Sequence, residues 1–191
     1  MPSGREAEGH DLLQCTDRRY PGREHMLINT RAVADRRLLR FASVAEILAD
    51  LDRLEAAERL GTLRALGNWP PGSIFDHLGR AAVCSFDGFD GFTFPFWLRA
   101  CAPLVKRRML NRSFPIGFKL SKDGESKAWR PDVAFDQGLA FYREQLARIE
   151  PAGSPSPGLT QRHPSFGFMM PRDWVLYHLR HAELHLGFLK P

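Results

Sequence analysis

From Ser43 onward, apolar residues recur at intervals of three and four, with polar residues filling the gaps, which is the signature of amphipathic helices. Val44, Ile47, Leu48, Leu51 and Leu54 define a first helix that runs to about Arg59, with Gly61 as its stop. Ser43 and Glu46 occupy capping-box positions at its start. A second helix follows Trp69-Pro70-Pro71-Gly72, with Ser73 to Asp76 as its capping signal. Ile74, His77, Leu78, Ala81 and Ala82 line one of its faces, and Gly88 and Gly91 end it. A third opens near Pro95, carries Trp97, Ala100, Cys101 and Leu104, and reaches about Leu110. Pro131 suits the first turn of a fourth helix. There Phe135, Leu139, Tyr142, Leu146 and Ile149 repeat at spacings of four and three. The last helix is expected from about Arg172 to Leu189.

Two long loops separate these elements, 111–130 and the proline-rich 151–171. No stretch reads as a strand, and no internal repeat is visible. Residues 1–30 are polar, of mixed charge and without periodicity, so they are expected to form a disordered leader. Met26 offers an alternative start. Residues 31–191 are then one domain, long enough for a proper core. The pattern predicts an all-α fold, a bundle of four long helices with a shorter additional one.

Composition narrows the picture. With 43% hydrophobic and 26% charged residues, the chain is that of an ordinary globular protein. Its net charge of +5 is scattered. The densest basic run, Lys106-Arg107-Arg108 with Arg112, falls at a predicted helix C-terminus, where the macrodipole favours cations. No basic face is interleaved with aromatics, so no nucleic-acid partner is expected. No apolar run approaches the ~18 residues of a membrane span, so no membrane partner is expected either. Cys15, Cys84 and Cys101 form no close pair, which suits a reducing compartment. The first 25 residues lack the apolar stretch of a secretory signal. A cytoplasmic location follows as the expectation.

The candidate chemistry lies in the last helix, where YHLRHAELHLGFL holds His178, His181 and His185. At about 100° per residue these three share one stripe. Val175, Leu179, Ala182, Leu186 and Leu189 form an apolar seam beside it, while Arg180, Glu183 and Lys190 form a polar stripe expected to face water. The histidines therefore flank the buried surface. Core histidines satisfied by hydrogen bonds are one explanation, although three on a single stripe each need a partner. A metal is the other, because a histidine pair at i, i+4 brings two ring nitrogens to one side of a helix. Glu183 points away from that pair and is no HExxH general base.

A third ligand must come from elsewhere. His10 and His25 lie in the leader, and His163 lies in the proline-rich loop. His77 sits on the inner face of the second helix and could converge with His181 and His185. Three neutral nitrogens with an open position mark a catalytic site. His178 would then line the pocket or carry protons as the acid–base residue. The remaining neighbours have ordinary expectations: Arg180 is a surface charge, Asp76 a helix cap, Trp69 packing at the helix start, and Cys84 a small buried hydrophobe.

NWPPGSIFDHL (68–78) together with RHAELHLGFL (180–189) resembles the DinB-like superfamily, over roughly Arg37 to Leu189, and within it a branch known only as a domain of unknown function. The resemblance implies an antiparallel four-helix bundle with long connecting loops. It implies that His77, His181 and His185 bind a divalent transition metal such as zinc, nickel or iron, among which three imidazoles do not discriminate. Relatives include thiol transferases and a thiol-dependent isomerase, so a low-molecular-weight thiol as co-substrate and a small-molecule substrate are also implied, as is a homodimer. Metal-assisted hydrolysis is less favoured, because no carboxylate is placed beside the site and His178 is the nearest acid–base group. The competing function is a metal- or ligand-binding bundle without turnover.

Overall fold

The computed structural model describes residues 28–89, 106–117 and 129–191. The expected leader and most of the expected third helix lie outside these residues. Residues 106–111, the end of that third helix, are helical. Among the described residues four helices dominate: α1 (Val44–Arg59), α2 (Pro71–Asp87), α3 (Phe135–Ile149) and α4 (Pro171–Leu186). The fold is mostly helical, and none of these helices is long and apolar enough to cross a membrane.

α1 forms as its pattern dictates. Ser43 accepts a hydrogen bond from Glu46 N, satisfying one orphan donor of the first turn, and Glu46 Oε2 reaches back to accept from Ala42 N just ahead of the cap. Val44, Ile47, Leu51 and Leu54 are buried against the core. α1 and α3 run antiparallel, since Val44 N donates to Glu150 and Arg143 reaches Asp52 and Glu55.

The start of α2 differs from the expectation. The helix begins at Pro71, with Pro70 in extended conformation as its cap and no side-chain cap bond. Pro71 at the first position has no N–H, so the first turn has one donor fewer to satisfy. Ser73 instead donates to Pro131 O at 2.9 Å. Asp76 does not cap either; it is buried, and among the described residues its Oδ2 has no partner. Pro131 likewise lies ahead of its helix, because α3 begins only at Phe135. Residues 129–134 instead cross the first turn of α2. A Cβ on Gly138 would lie 2.2 Å from Gly72 O, and one on Gly72 would lie 2.2 Å from Val133 O. These two glycines let the backbones touch. α2 and α3 consequently run in the same direction, Gly72 meeting Gly138 and Asp87 approaching Arg148 at 4.0 Å.

Two further expectations are corrected. Strands do occur: β1 (Arg64–Ala65) pairs antiparallel with β2 (Leu189–Lys190), and Leu66 N donates to Phe188 O just beyond. α4 therefore ends at Leu186, and Leu189 belongs to the strand. Two-residue strands are too short to show an alternation. The second correction concerns the supposed polar stripe of α4. Arg180 and Glu183 are both buried, each only 2% exposed, and form an ion pair. Residues 36–41 cover them: Phe41 N donates to Glu183 Oε1 at 2.7 Å, and Arg180 Nη2 donates to Phe41 O at 2.8 Å. In the same strap, Arg36 and Arg37 donate to Glu183 O, Leu184 O and Leu186 O, satisfying the last carbonyls of α4. Arg37 is itself held by both oxygens of the buried Asp50.

Candidate metal site

α2 and α4 pack antiparallel: His77 meets His181, Ser85 meets His178, and Phe89 meets Trp174. That pairing brings together the three histidines singled out by their spacing. One ring nitrogen from each of His77, His181 and His185 lies within 4.8 Å of the other two. The rings meet at steep angles, with centroid separations of 4.9 Å (His77–His181), 4.7 Å (His77–His185) and 4.8 Å (His181–His185). His77 and His181 are buried and His185 is half-buried.

The residues suit a divalent ion. Burial, reinforced by the neighbouring imidazoles, holds His181 well below the ordinary histidine pKa. Burial, with His77 and then Arg36 nearby, does the same for His185. Both are therefore neutral at physiological pH, the form that ligates metal. His77 Nε2 and His181 Nε2 are 3.1 Å apart. Two nitrogens bound at 2.0–2.1 Å around tetrahedral zinc sit roughly 3.3 Å apart, so little movement is needed. Among the described residues His181 Nδ1 is enclosed without a partner, so hydrogen bonds there do not satisfy every ring nitrogen of the cluster.

Several aromatic residues surround the triad. Trp69 stacks on His185 and meets His77 edge-on, and Trp129 stacks on Trp69. Phe114 and Tyr177 flank His181, with centroids at 6.4 and 5.5 Å. Trp69 thus borders the site as well as packing at the helix start. Tyr177 was legible as a neighbour, one turn before His181. Phe114 and Trp129 sit in a segment without periodicity, and no sequence signal pointed to them. Cys84 is half-buried, less enclosed than expected of a core residue.

His178 is not part of the three-nitrogen group. It is 3% exposed, stacks on Trp174 and shares a 2.7 Å hydrogen bond between Nε2 and Ser85 Oγ. Ser85 Oγ also lies 3.2 Å from Ala81 O. The single hydroxyl proton can go to either acceptor, so His178 Nε2 either accepts from Ser85 or donates to it. His163, set aside as a loop residue, is buried among Phe166, Tyr177, Trp174 and Phe89. Its Nδ1 accepts from Ser165 N and Phe166 N, each at 3.1 Å, which places the ring proton on Nε2.

Burial pushes His163 down to about 3. Burial, with His163 as a lesser cause, takes His178 to about 3 as well. In the unfolded chain both return to the ordinary histidine value, near 6.5. Between these limits the unfolded state binds more protons, so stability is complete above about pH 6.5 and is lost as pH falls toward 3. The expected loss is roughly 1.4 kcal/mol per pH unit for each such group. Urea midpoints measured across this window should fall steeply, and a flat profile would contradict the buried, neutral placement of these rings.

Fold and site together define a mostly helical protein whose core holds a three-histidine cluster compatible with a metal ion. The chain belongs to the family described as "Protein of unknown function (DUF1569)", whose model matches residues 33–191. No curated protein and no solved structure matches it.

Proposed function

We propose that this protein is a metal-dependent enzyme of the DinB-like kind, a four-helix bundle in which His77, His181 and His185 hold a divalent zinc, nickel or iron ion. Its substrate is a small molecule, with a low-molecular-weight thiol as co-substrate. The observation that carries this reading is the convergence of three imidazole nitrogens within 4.8 Å from two different helices. When bound, the ion supplies Lewis acidity that lowers the pKa of a nucleophile at its open position. The three histidines, as neutral donors, add no negative charge, which favours an anionic nucleophile such as a thiolate over a neutral one. Trp69, Phe114 and Tyr177 shield the rings from water and lower the local dielectric.

In this proposal His178 is the acid–base residue, a ring neutral at physiological pH because burial takes it to about 3, and so one that holds a proton only transiently. A proton it takes up can reside on Nε2 when the Ser85 hydroxyl turns to Ala81 O. The alternative, a metal- or ligand-binding bundle without turnover, draws support from the deep burial of His178 and the engagement of its Nε2 by Ser85.

Elemental analysis of the tag-free chain, beside His77→Ala, His181→Ala and His185→Ala, tests the metal. Near-stoichiometric metal in the wild type and little in each variant is expected. A wild type that takes up no zinc, nickel, iron or manganese on reconstitution overturns the proposal. The loaded chain is then assayed with thiols and electrophiles, beside His178→Gln. Turnover that disappears in this variant while its metal is retained supports the enzyme, and a loaded chain without turnover supports the binding module.

A further inference from the structure

Trp69 touches two of the three histidine rings in the cluster. Its indole lies nearly parallel to His185, 7° between planes and 5.2 Å between centroids, and meets His77 at 71° and 5.1 Å. Trp129 stacks against the same indole at 4.4 Å and 26°. Both tryptophans are tied to the first turn of α2. Trp69 immediately precedes Pro70 and Pro71, whose fixed φ angles set the path of the chain into the helix. On its other side, Asn68 exchanges two hydrogen bonds with the backbone of Ile28, at 2.8 and 3.0 Å. Trp129 stands two residues before Pro131, whose carbonyl accepts from Ser73 in α2.

An imidazole ligand must hold one ring orientation to bind metal. The common device is a hydrogen bond from the second ring nitrogen to a carboxylate, carbonyl or water. Among the described residues His181 Nδ1 has no such partner. Aromatic packing restrains its two companions, His77 and His185, through the indole of Trp69. We propose that Trp69 is a positioning residue of the metal site, fixing the ring orientations of His77 and His185, and that Trp129 holds Trp69 in place. The segment ahead of α3 thereby becomes part of the site without contributing a ligand. Pre-orientation of this kind raises affinity by reducing the freedom lost on binding.

This inference rests on the metal reading above, and its test separates the two. The metal-free full-length chain is titrated with Co²⁺ against a chromophoric chelator, and the visible cobalt bands are recorded at saturation. Trp69→Ala is expected to weaken Co²⁺ binding by about 10–100-fold and to alter the bands. Trp129→Ala should have a smaller effect in the same direction, and Trp69→Phe, which keeps a ring against His185, should restore much of the affinity. Leu146→Ala, in the core of α3 and away from the site, should lower the melting temperature without changing either readout. Trp69→Ala with unaltered bands and affinity within about twofold of wild type overturns the inference while leaving the metal site standing. Should Trp69→Ala fail to fold, Trp129→Ala with unaltered bands and affinity overturns it instead. A wild type that binds no Co²⁺ overturns both.

Discussion

Excess zinc is expected to raise the melting temperature of the wild-type chain and to leave that of His77→Ala, His181→Ala and His185→Ala unchanged. A ligand that binds the native state and not the unfolded chain stabilises by RT ln(1 + [L]/Kd), about 2.7 kcal/mol at one hundred times Kd and about 4.1 at one thousand times. For a domain of this size each kcal/mol moves the melting temperature by roughly 2–4 °C, so shifts of about 5–16 °C are expected. The three ring nitrogens come from α2 and α4, which lie far apart in sequence, so unfolding disperses the set and abolishes the site. A chelator should return the wild type to its metal-free value. A melting temperature that ignores both zinc and chelator would leave the three histidines as packing.

Glu183→Ala is expected to cost about 3–5 kcal/mol in stability, read as a lowered urea midpoint. Glu183 and Arg180 are among the most enclosed charged groups described, and their ion pair also satisfies the backbone of Phe41 through the 2.7 and 2.8 Å bonds. Removing the carboxylate strands both the guanidinium and Phe41 N in a medium of low dielectric. The double change Arg180→Met with Glu183→Leu removes both charges together and is expected to cost less than Glu183→Ala alone. A near-neutral Glu183→Ala would show that water reaches the pair. Glu183 lies on α4 between two of the histidines, so the same variant also shows how far the site depends on the strap that covers this helix.

What the chain determined by itself was local. The intervals among Val44, Ile47, Leu51 and Leu54, and among Leu139, Tyr142, Leu146 and Ile149, specify helices, because a 3.6-residue repeat written in apolar side chains has one way to be buried. The same rule put His181 and His185 on one side of α4 and His77 on the inner face of α2, and the three lie together. Boundaries were less legible where backbones meet. Neither Ser73 nor Pro131 takes up its expected helix-start role, and the two residues bond to each other at the crossing that Gly72 and Gly138 permit. The supposed solvent face of α4 became interior because the strap of residues 36–41 lies across it, and periodicity along one helix carries no information about what a distant segment will cover. The stack of Trp129 on Trp69, and Phe114 beside His181, likewise join residues distant in sequence. Spacing along a helix therefore determined which side chains share a face, whereas contact between segments decided which faces are buried and what surrounds the histidines, since burial is a property of the assembled chain.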